Sequence, residues 1–486
     1  MAAGADALAS PREWRGRTTA LGIGLCAGLV PLSLSWLNAP SPAIWIPVAL
    51  LLCAPLAWYA FTRTRKWPLL FCATAILLPP VPFPIGDSGA HASVVVAGLG
   101  MLAGLACLRS WRIRKSPLNL ALAALTGAFA FSLGFAILYS GWVVAAGSAV
   151  RLFLFCTGIY VYFAASQGPC VESRTEARTT TRWIFAVAAA AALFGCIDFF
   201  YQLPAPAGFG AQFIWLDTGV FRRAQGLFYD ASALGNFCAF FLVGGVVALA
   251  QSRKRRVMPT SVACGAVMLF LAALLVSYSR GSLLTAAIGC AALAILERRR
   301  WANGRTYLVF GLVAVTAVAF LIAYPKFALA YLARFNSIAS VSPDAALSGR
   351  LASWSAIGGF IAEHPLQTLL GIGYKTLPYT THFGRPVIAD NMYLSVLVET
   401  GVFGLLALLA VNLGIVRASA RAARSGSFFG RWMLCFWLGE MFQMLTGDVL
   451  TFWRVLPVYF WVLAQAVLDQ AARERDSIED SGGRSI

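Results

Sequence analysis

The sequence predicts an all-α fold, a polytopic membrane helix bundle of about fourteen transmembrane helices, and three observations carry that prediction. First, 59% of the 486 residues are hydrophobic and only 12% are charged, where a soluble domain carries about twice that share of charge. Second, apolar runs of about 17–22 residues recur from end to end, each long enough to cross a bilayer. Third, the Lys and Arg residues alternate between the two ends of these runs. The net charge of +18 resembles a nucleic-acid signal. Most of the basic residues, however, fall in segments that a cytoplasmic N-terminus would place inside, such as Arg63-Arg65-Lys66, Arg253-Lys254-Arg255-Arg256 and Arg298-Arg299-Arg300. That asymmetry is the positive-inside rule. Basic charge therefore reports topology and attraction to anionic inner-leaflet lipid, and no nucleic-acid partner is expected.

In order along the chain, residues 1–18 form a cytoplasmic N-terminus. The first run, 19–36, follows Arg12, Arg15 and Arg17 as a signal peptide would, but it is longer than a typical signal core and is read as an uncleaved helix. Further spans are placed at 43–61, 68–85, 90–108, 118–140, 142–165, 183–201, 232–250, 259–277, 281–296 and 306–324, then 391–415, 429–447 and 450–468. The first eleven occupy 19–324 and the last three 391–468, and a polar tail over 469–486 is expected to be cytoplasmic and disordered. Two outer connections are long, Leu203 to Ala231 and Pro325 to Asp390. The second is expected to hold the working surface, because long ordered loops in compact bundles are usually functional. Within it Leu351, Trp354, Ile357 and Ile361 recur at helical spacing after Ser348-Gly349 and before Pro365, which predicts a short amphipathic helix near the outer interface. The eleven cysteines sit mostly in apolar runs, so no disulfide framework is expected.

Cations on the outer side oppose the positive-inside bias, so each needs a reason. Arg222 and Arg223 precede the eighth span, Arg280 sits in a tight turn between the ninth and tenth, Arg350 opens the amphipathic helix, and Lys375 follows Gly371-Ile372-Gly373-Tyr374. Arginine presents a planar fork of donors matched to phosphate oxygens, so a convergence of these residues would suit a lipid-linked diphosphate. Snorkelling toward headgroups is the plainer reading, and it is preferred for Arg334, Arg385 and Arg454. Asp390, at the start of the twelfth span, is either a general base for an attacking hydroxyl or, with Asn391, a helix cap. His382 and His364 in the same loop are further candidate bases or plain surface residues. Arg151, Asp198, Glu399 and Glu440 are ionisable groups within the membrane; they either pair to hold the bundle together or shape the floor of the site. No metal-ligand spacing, P-loop or dinucleotide fingerprint is present, so neither metal nor cofactor is expected.

Together these outer segments resemble the O-antigen ligase and Wzy-type polymerase superfamily over about residues 210–405. The resemblance rests on Arg223 to Gly226, Ser279-Arg280-Gly281, Ser348-Gly349-Arg350 with Trp354, and Pro365 with Gly371-Ile372-Gly373. It continues through Asp390-Asn391, Tyr393-Leu394 and Glu399 with Gly401 and Gly404. The resemblance implies a glycosyltransferase of the bacterial inner membrane that moves glycan from undecaprenyl diphosphate to an acceptor at the periplasmic face; the charge asymmetry places both termini in the cytoplasm. The resemblance further implies that Arg280, Arg350 and one of Arg222 or Arg223 hold the diphosphate leaving group, and it leaves open whether Asp390, His382 or neither is the base, Asp390 being the expected one. Lys375, Tyr374, Asn391, Tyr393 and Glu399 are then expected along the substrate site. Ligases of this superfamily typically carry a histidine where this chain has Asp390, so the polymerase branch is expected, acting on lipid-linked O-antigen or exopolysaccharide repeat units. Membrane lipids and a chain-length regulator are the expected partners. The alternatives are a ligase, acting on lipid A core or protein, and more distantly a polysaccharide transporter or flippase.

Overall fold

The computed structural model describes residues 63–80, 91–204, 210–216, 219–252, 256–298, 324–340, 350–380 and 386–482, with Tyr59, Phe383 and scattered positions of 311–322. The expected span at 19–36, nearly all of 43–61, most of 306–324, and residues His382 and Arg385 lie outside the described residues. Within them the chain is an all-α polytopic membrane protein, with five helices long and apolar enough to cross a bilayer.

Helices α1 (Trp67–Leu77) and α2 (Ala92–Ala106) begin the described part. Pro68 lies in the first turn of α1, where a missing N–H costs nothing. Helix α3 covers Pro117–Gln167 but is broken at Gly141, whose φ of 83° is open to glycine and strained for other residues. Contacts on either side show a reversal there: Phe129 packs on Phe155 with ring centroids 5.2 Å apart, and the Tyr162 hydroxyl donates to Asn119 Oδ1 at 2.9 Å. The two spans expected at 118–140 and 142–165 are therefore the arms of a helical hairpin. Helix α4 (Arg174–Tyr201) starts on a reciprocal Ser173–Glu176 capping box.

The connection after α4 contains a feature the sequence did not suggest, a two-stranded antiparallel hairpin, β1 (Phe213–Leu216) with β2 (Gly219–Arg222). Helices α5 (Ala231–Ala250), α6 (Thr260–Val276) and α7 (Arg280–Glu297) follow. Helix α5 is the hub of the bundle and is buried along nearly all its length. It crosses α12 (Phe428–Gln443) and α13 (Leu456–Gly482) through tilted aromatic pairs, Phe240 lying 4.5 Å from Trp432 and 4.3 Å from Tyr459 between ring centroids. Between α7 and α12 lie α8 (Pro325–Ser340), α9 (Arg350–Glu363), α10 (Pro365–Leu370) and α11 (Met392–Arg424).

Two expectations need correction. The span placed at 391–415 is not one continuous crossing. Gly401 adopts φ 75° and ψ −178° inside α11, and Asn412 reaches back to the Tyr393 hydroxyl at 3.4 Å. A straight helix would hold residues nineteen apart on the order of 28 Å away, so the chain reverses at Gly401. Residues 392–400 form a short re-entrant arm packed on the long arm that follows. An apolar run reads the same whether or not one glycine folds it back, which is why periodicity missed the turn. The tail expected to be disordered is instead helical through Gly482, with Gln470 Nε2 donating to Glu474 Oε1 at 2.8 Å. Pairs spaced by four residues suffice to carry a polar helix on from a packed one.

Candidate active site

Helix starts and reversals converge at one end of the bundle around a cavity of about 440 Å³. Ser279 caps α7 by accepting from Ser282 N–H, which leaves Arg280 as the first helical residue at the cavity wall. Arg223 is fixed beside it: its Nε donates to Ser277 O at 2.9 Å, and the N–H of Ala224 donates to Val276 O at 3.0 Å. Arg350 opens α9. One turn later the Trp354 indole donates to Ala389 O at 2.6 Å, which docks α9 against the 387–390 segment. Arg350 Nε then donates to Asp390 Oδ2 at 3.2 Å. Burial pulls the Arg223 guanidinium below its ordinary value; Asp230 opposes the fall and Arg350 adds to it. Mutual repulsion of arginines held this close is relieved by a bound dianion.

On the other side of the cavity the Gly371–Lys375 loop is strapped into the α11 reversal. Carbonyls that the break at Gly401 frees from helical pairing accept from the loop, Val398 O from Ile372 N–H at 3.0 Å and Glu399 O from Gly373 N–H at 2.8 Å. A Cβ at Gly401 would lie 2.2 Å from Leu369 O, and one at Gly373 would lie 2.6 Å from Ala136. These close approaches explain the glycines of both motifs. The loop thereby presents Lys375, whose ammonium contacts Asp448 Oδ2. Arg151 supports it from α3 by donating to Lys375 O at 3.2 Å and to the Tyr379 hydroxyl at 2.9 Å. Burial pushes the Lys375 ammonium down to about 8, Glu399 opposing and Arg151 adding to the fall. Ten residues of α3 separate Arg151 from the Gly141 reversal, so this floor lies on the order of 15 Å below the hairpin tip. The tip itself presents exposed Trp142 and Val143, as lipid-facing segments do.

The structure brings Arg223, Arg280, Arg350, Lys375, Asp390 and Glu399 to this one cavity. It places four other expected residues elsewhere. Arg222 turns away to form a buried ion pair with Asp198 at 3.1 Å and to donate to Leu203 O. Tyr374 is buried and stacked on Phe129 at 4.3 Å, and its backbone N–H donates to Ser132. Asn391 caps the re-entrant arm by accepting from Leu394 N–H at 3.1 Å. The Tyr393 hydroxyl donates to Met441 O at 3.2 Å within the bundle. Of the two roles weighed for Asp390, the capping one is thus filled by Asn391. Asp390 has φ 43°, in the left-handed region that Asp tolerates better than most residues. Its half-exposed carboxylate turns into the cavity.

Glu440 is buried away from the cavity and accepts from Asn236 Nδ2 with both oxygens, so it holds the bundle together, whereas Arg151 and Glu399 line the floor. His364 packs on Phe360 with ring centroids 4.8 Å apart. Arg454 donates to the carbonyls of Ala75, Leu78 and Leu227 rather than snorkelling. Asp448, Asp230 and Gln443 line the cavity and were not anticipated. For Asp448 a signal existed: Gly447-Asp448 interrupts two apolar runs on the expected outer side. Among the described residues no group of three or more His, Cys, Asp or Glu is arranged to hold a metal ion.

No curated protein matches the chain. Residues 265–409 match the family model described as O-antigen ligase. That segment supplies Arg280, Arg350, Lys375, Asp390 and Glu399, and the match supports the O-antigen ligase and Wzy-type superfamily that the motifs resemble.

Proposed function

We propose that the protein is a polymerase of lipid-linked oligosaccharide repeat units, acting on the extracytoplasmic side of a bacterial inner membrane. The observation that carries this reading is the convergence of Arg223, Arg280 and Arg350, from three separate segments, on one cavity. Three guanidiniums held in place by the fold suit a diphosphate leaving group, whose charge grows as the glycosidic bond breaks. In this reading they bind undecaprenyl diphosphate at the reducing end of one glycan. A hydroxyl of a second unit attacks C1; the new C1–O bond forms as the C1–O bond to the diphosphate breaks, and the diphosphate keeps the electron pair. The hydroxyl proton passes to the Asp390 carboxylate. Arg350 has donors enough to hold both Asp390 and a phosphate oxygen, which keeps base and leaving group in a fixed relation. In this reading residues 325–390 are the catalytic loop, completed by Arg223, Arg280 and the re-entrant arm, and the helices at 19–324 and 391–468 are the membrane part that holds them.

A second reading, a ligase, is favoured by the description of the matched family. Against it stands Asp390 at the position where the ligases carry histidine. Deleting the gene and separating surface polysaccharide on a gel decides between them. Loss of the ladder with single repeat units retained supports the polymerase, and long polymer left on its lipid carrier supports the ligase. Complementing with Arg280→Ala or Arg350→Ala is expected to give no chain extension at normal protein level. Full-length polymer from those strains would sink both readings.

A further inference from the structure

We infer that the half of the cavity around Asp448 is the acceptor subsite and that it takes an uncharged sugar; the inference rests on the glycosyltransferase reading above. The cavity is divided by charge. Around Arg223, Arg280 and Arg350 stand the carboxylates of Asp230 and Asp390, which leaves an excess of positive charge for a dianion. Around Asp448 the cations Lys375 and Arg151 are matched by Asp448 and Glu399, so that half carries no excess. It is dense in hydrogen-bonding groups, with Tyr379 and Thr451 beside the charged pairs.

Two acceptor atoms there lack a hydrogen-bond partner among the described residues. One is Glu399 Oε2, on a residue only 2% exposed whose other oxygen accepts from Leu377 N–H at 3.2 Å; the second is Asp448 Oδ1. A buried carboxylate oxygen without a donor costs stability, and a ligand hydroxyl supplies that donor. Sugar hydroxyls donate and accept at adjacent carbons, which an ammonium and a carboxylate in contact satisfy together. A uronic acid would bring a third negative charge to Glu399 and Asp448 with no unmatched cation to receive it. Asp448 is accordingly a specificity-determining and positioning residue that holds the acceptor, while the transfer step remains as written above.

The test uses the protein in lipid nanodiscs, lipid-linked repeat units as donor, and a repeat unit released from its lipid by mild acid as free acceptor. Asp448→Asn is expected to raise KM for the free acceptor by about tenfold or more, with kcat far less affected, and Asp448→Glu is expected to recover part of that loss. Binding of geranyl diphosphate, followed by tryptophan fluorescence, is expected to match wild type in both variants. An unchanged acceptor KM overturns the inference, and so does a parallel loss of geranyl diphosphate affinity, which would make the two halves one diphosphate site. An acceptor whose primary hydroxyls have been oxidised to carboxylates is expected to be used poorly, and equal use overturns the uncharged-sugar assignment. Failure of the underlying reading has a separate signature: Arg280→Ala then binds geranyl diphosphate as well as wild type does.

Discussion

Adjacent arginines in this chain have opposite employments, and the difference is measurable. Arg222 is spent on Asp198, whose second oxygen accepts from the N–H groups of Gln225 and Gly226 at 3.0 Å each. Removing one partner of a buried pair leaves an uncompensated charge and costs about 3–5 kcal/mol. Arg222→Ala is therefore expected to lower the steady-state protein level, as read by immunoblot of membranes. Arg223→Ala removes a cation from the cavity wall, and it is expected to leave the level near normal while abolishing transfer. The sequence offered both residues equally, because two neighbours in a strand-to-loop passage look alike until the strand fixes which faces inward. Lys375 gives a pH signature. Its pKa of about 8 lies below the ordinary 10.5, so the ammonium is charged below about pH 8 and neutral above it. Transfer is expected to fall as pH rises through that value, and Lys375→Arg, charged throughout, is expected to flatten the fall. The stability contribution runs the other way: between about 8 and 10.5 the unfolded chain binds more protons than the folded one, so that contribution rises with pH. A pH–rate profile that is the same in wild type and Lys375→Arg would remove the ammonium from the reaction.

At the scale of elements, the site depends on two helix reversals, at Gly141 and at Gly401, and hydropathy registered only the first. The all-α membrane class, the two arms of the α3 hairpin and the short helix at Arg350 were legible because apolar length and helical spacing are written in the sequence itself. The reversal at Gly401 was not, since a single glycine in a 33-residue helical segment looks like any membrane-helix glycine. Nor was the fate of Tyr374, Asn391 and Tyr393, whose side chains stack on Phe129, cap the re-entrant arm and donate to Met441 O rather than facing the cavity. The structure brings Arg280, Arg350, Lys375 and Asp390 to one cavity; the three cations stood out in the sequence because they oppose the positive-inside bias, and Asp390 because it precedes a helix start. Gly401→Ala would force a Cβ to within 2.2 Å of a carbonyl oxygen at φ 75°, which exceeds the roughly 1–3 kcal/mol of a strained backbone alone. A clear drop in the unfolding temperature in detergent, together with loss of transfer, is the expected result. Gly358→Ala provides the contrast. It lies in α9 with nothing within 4 Å of its would-be Cβ, so helix propensity alone acts, and the change is expected to stabilise by up to about 1 kcal/mol. Equal effects from the two substitutions would mean that the reversal at Gly401 is not a constraint.

For the whole molecule the question is which way the bundle faces. The end opposite the cavity carries exposed Arg112, Arg114 and Lys115 beside the foot of the α3 hairpin, and Arg417, Arg421 and Arg424 near the end of α11. It also holds the ion pairs Lys66–Glu172 and Arg431–Glu297, both at 3.0 Å. At the cavity end the basic residues are mostly occupied, by Asp198, by Asp390, by Asp448 or by backbone carbonyls. Among the described residues, exposed basic side chains gather at the end opposite the cavity, and by the positive-inside rule the orientation we propose puts that end in the cytoplasm. This orientation also suits the proposed chemistry, in which a lipid-linked glycan presents its diphosphate at headgroup depth on the far side, where Arg280 and Arg350 stand at helix starts. The assignment can be read directly in a cysteine-free background. Glu363→Cys, exposed at the end of α9, is expected to react with a membrane-impermeant maleimide on intact spheroplasts. Lys115→Cys, exposed at the opposite end, is expected to react only after lysis. The reverse pattern would put the cavity in the cytoplasm, where the donor lipid is assembled rather than consumed, and the polymerase and ligase readings would fall together.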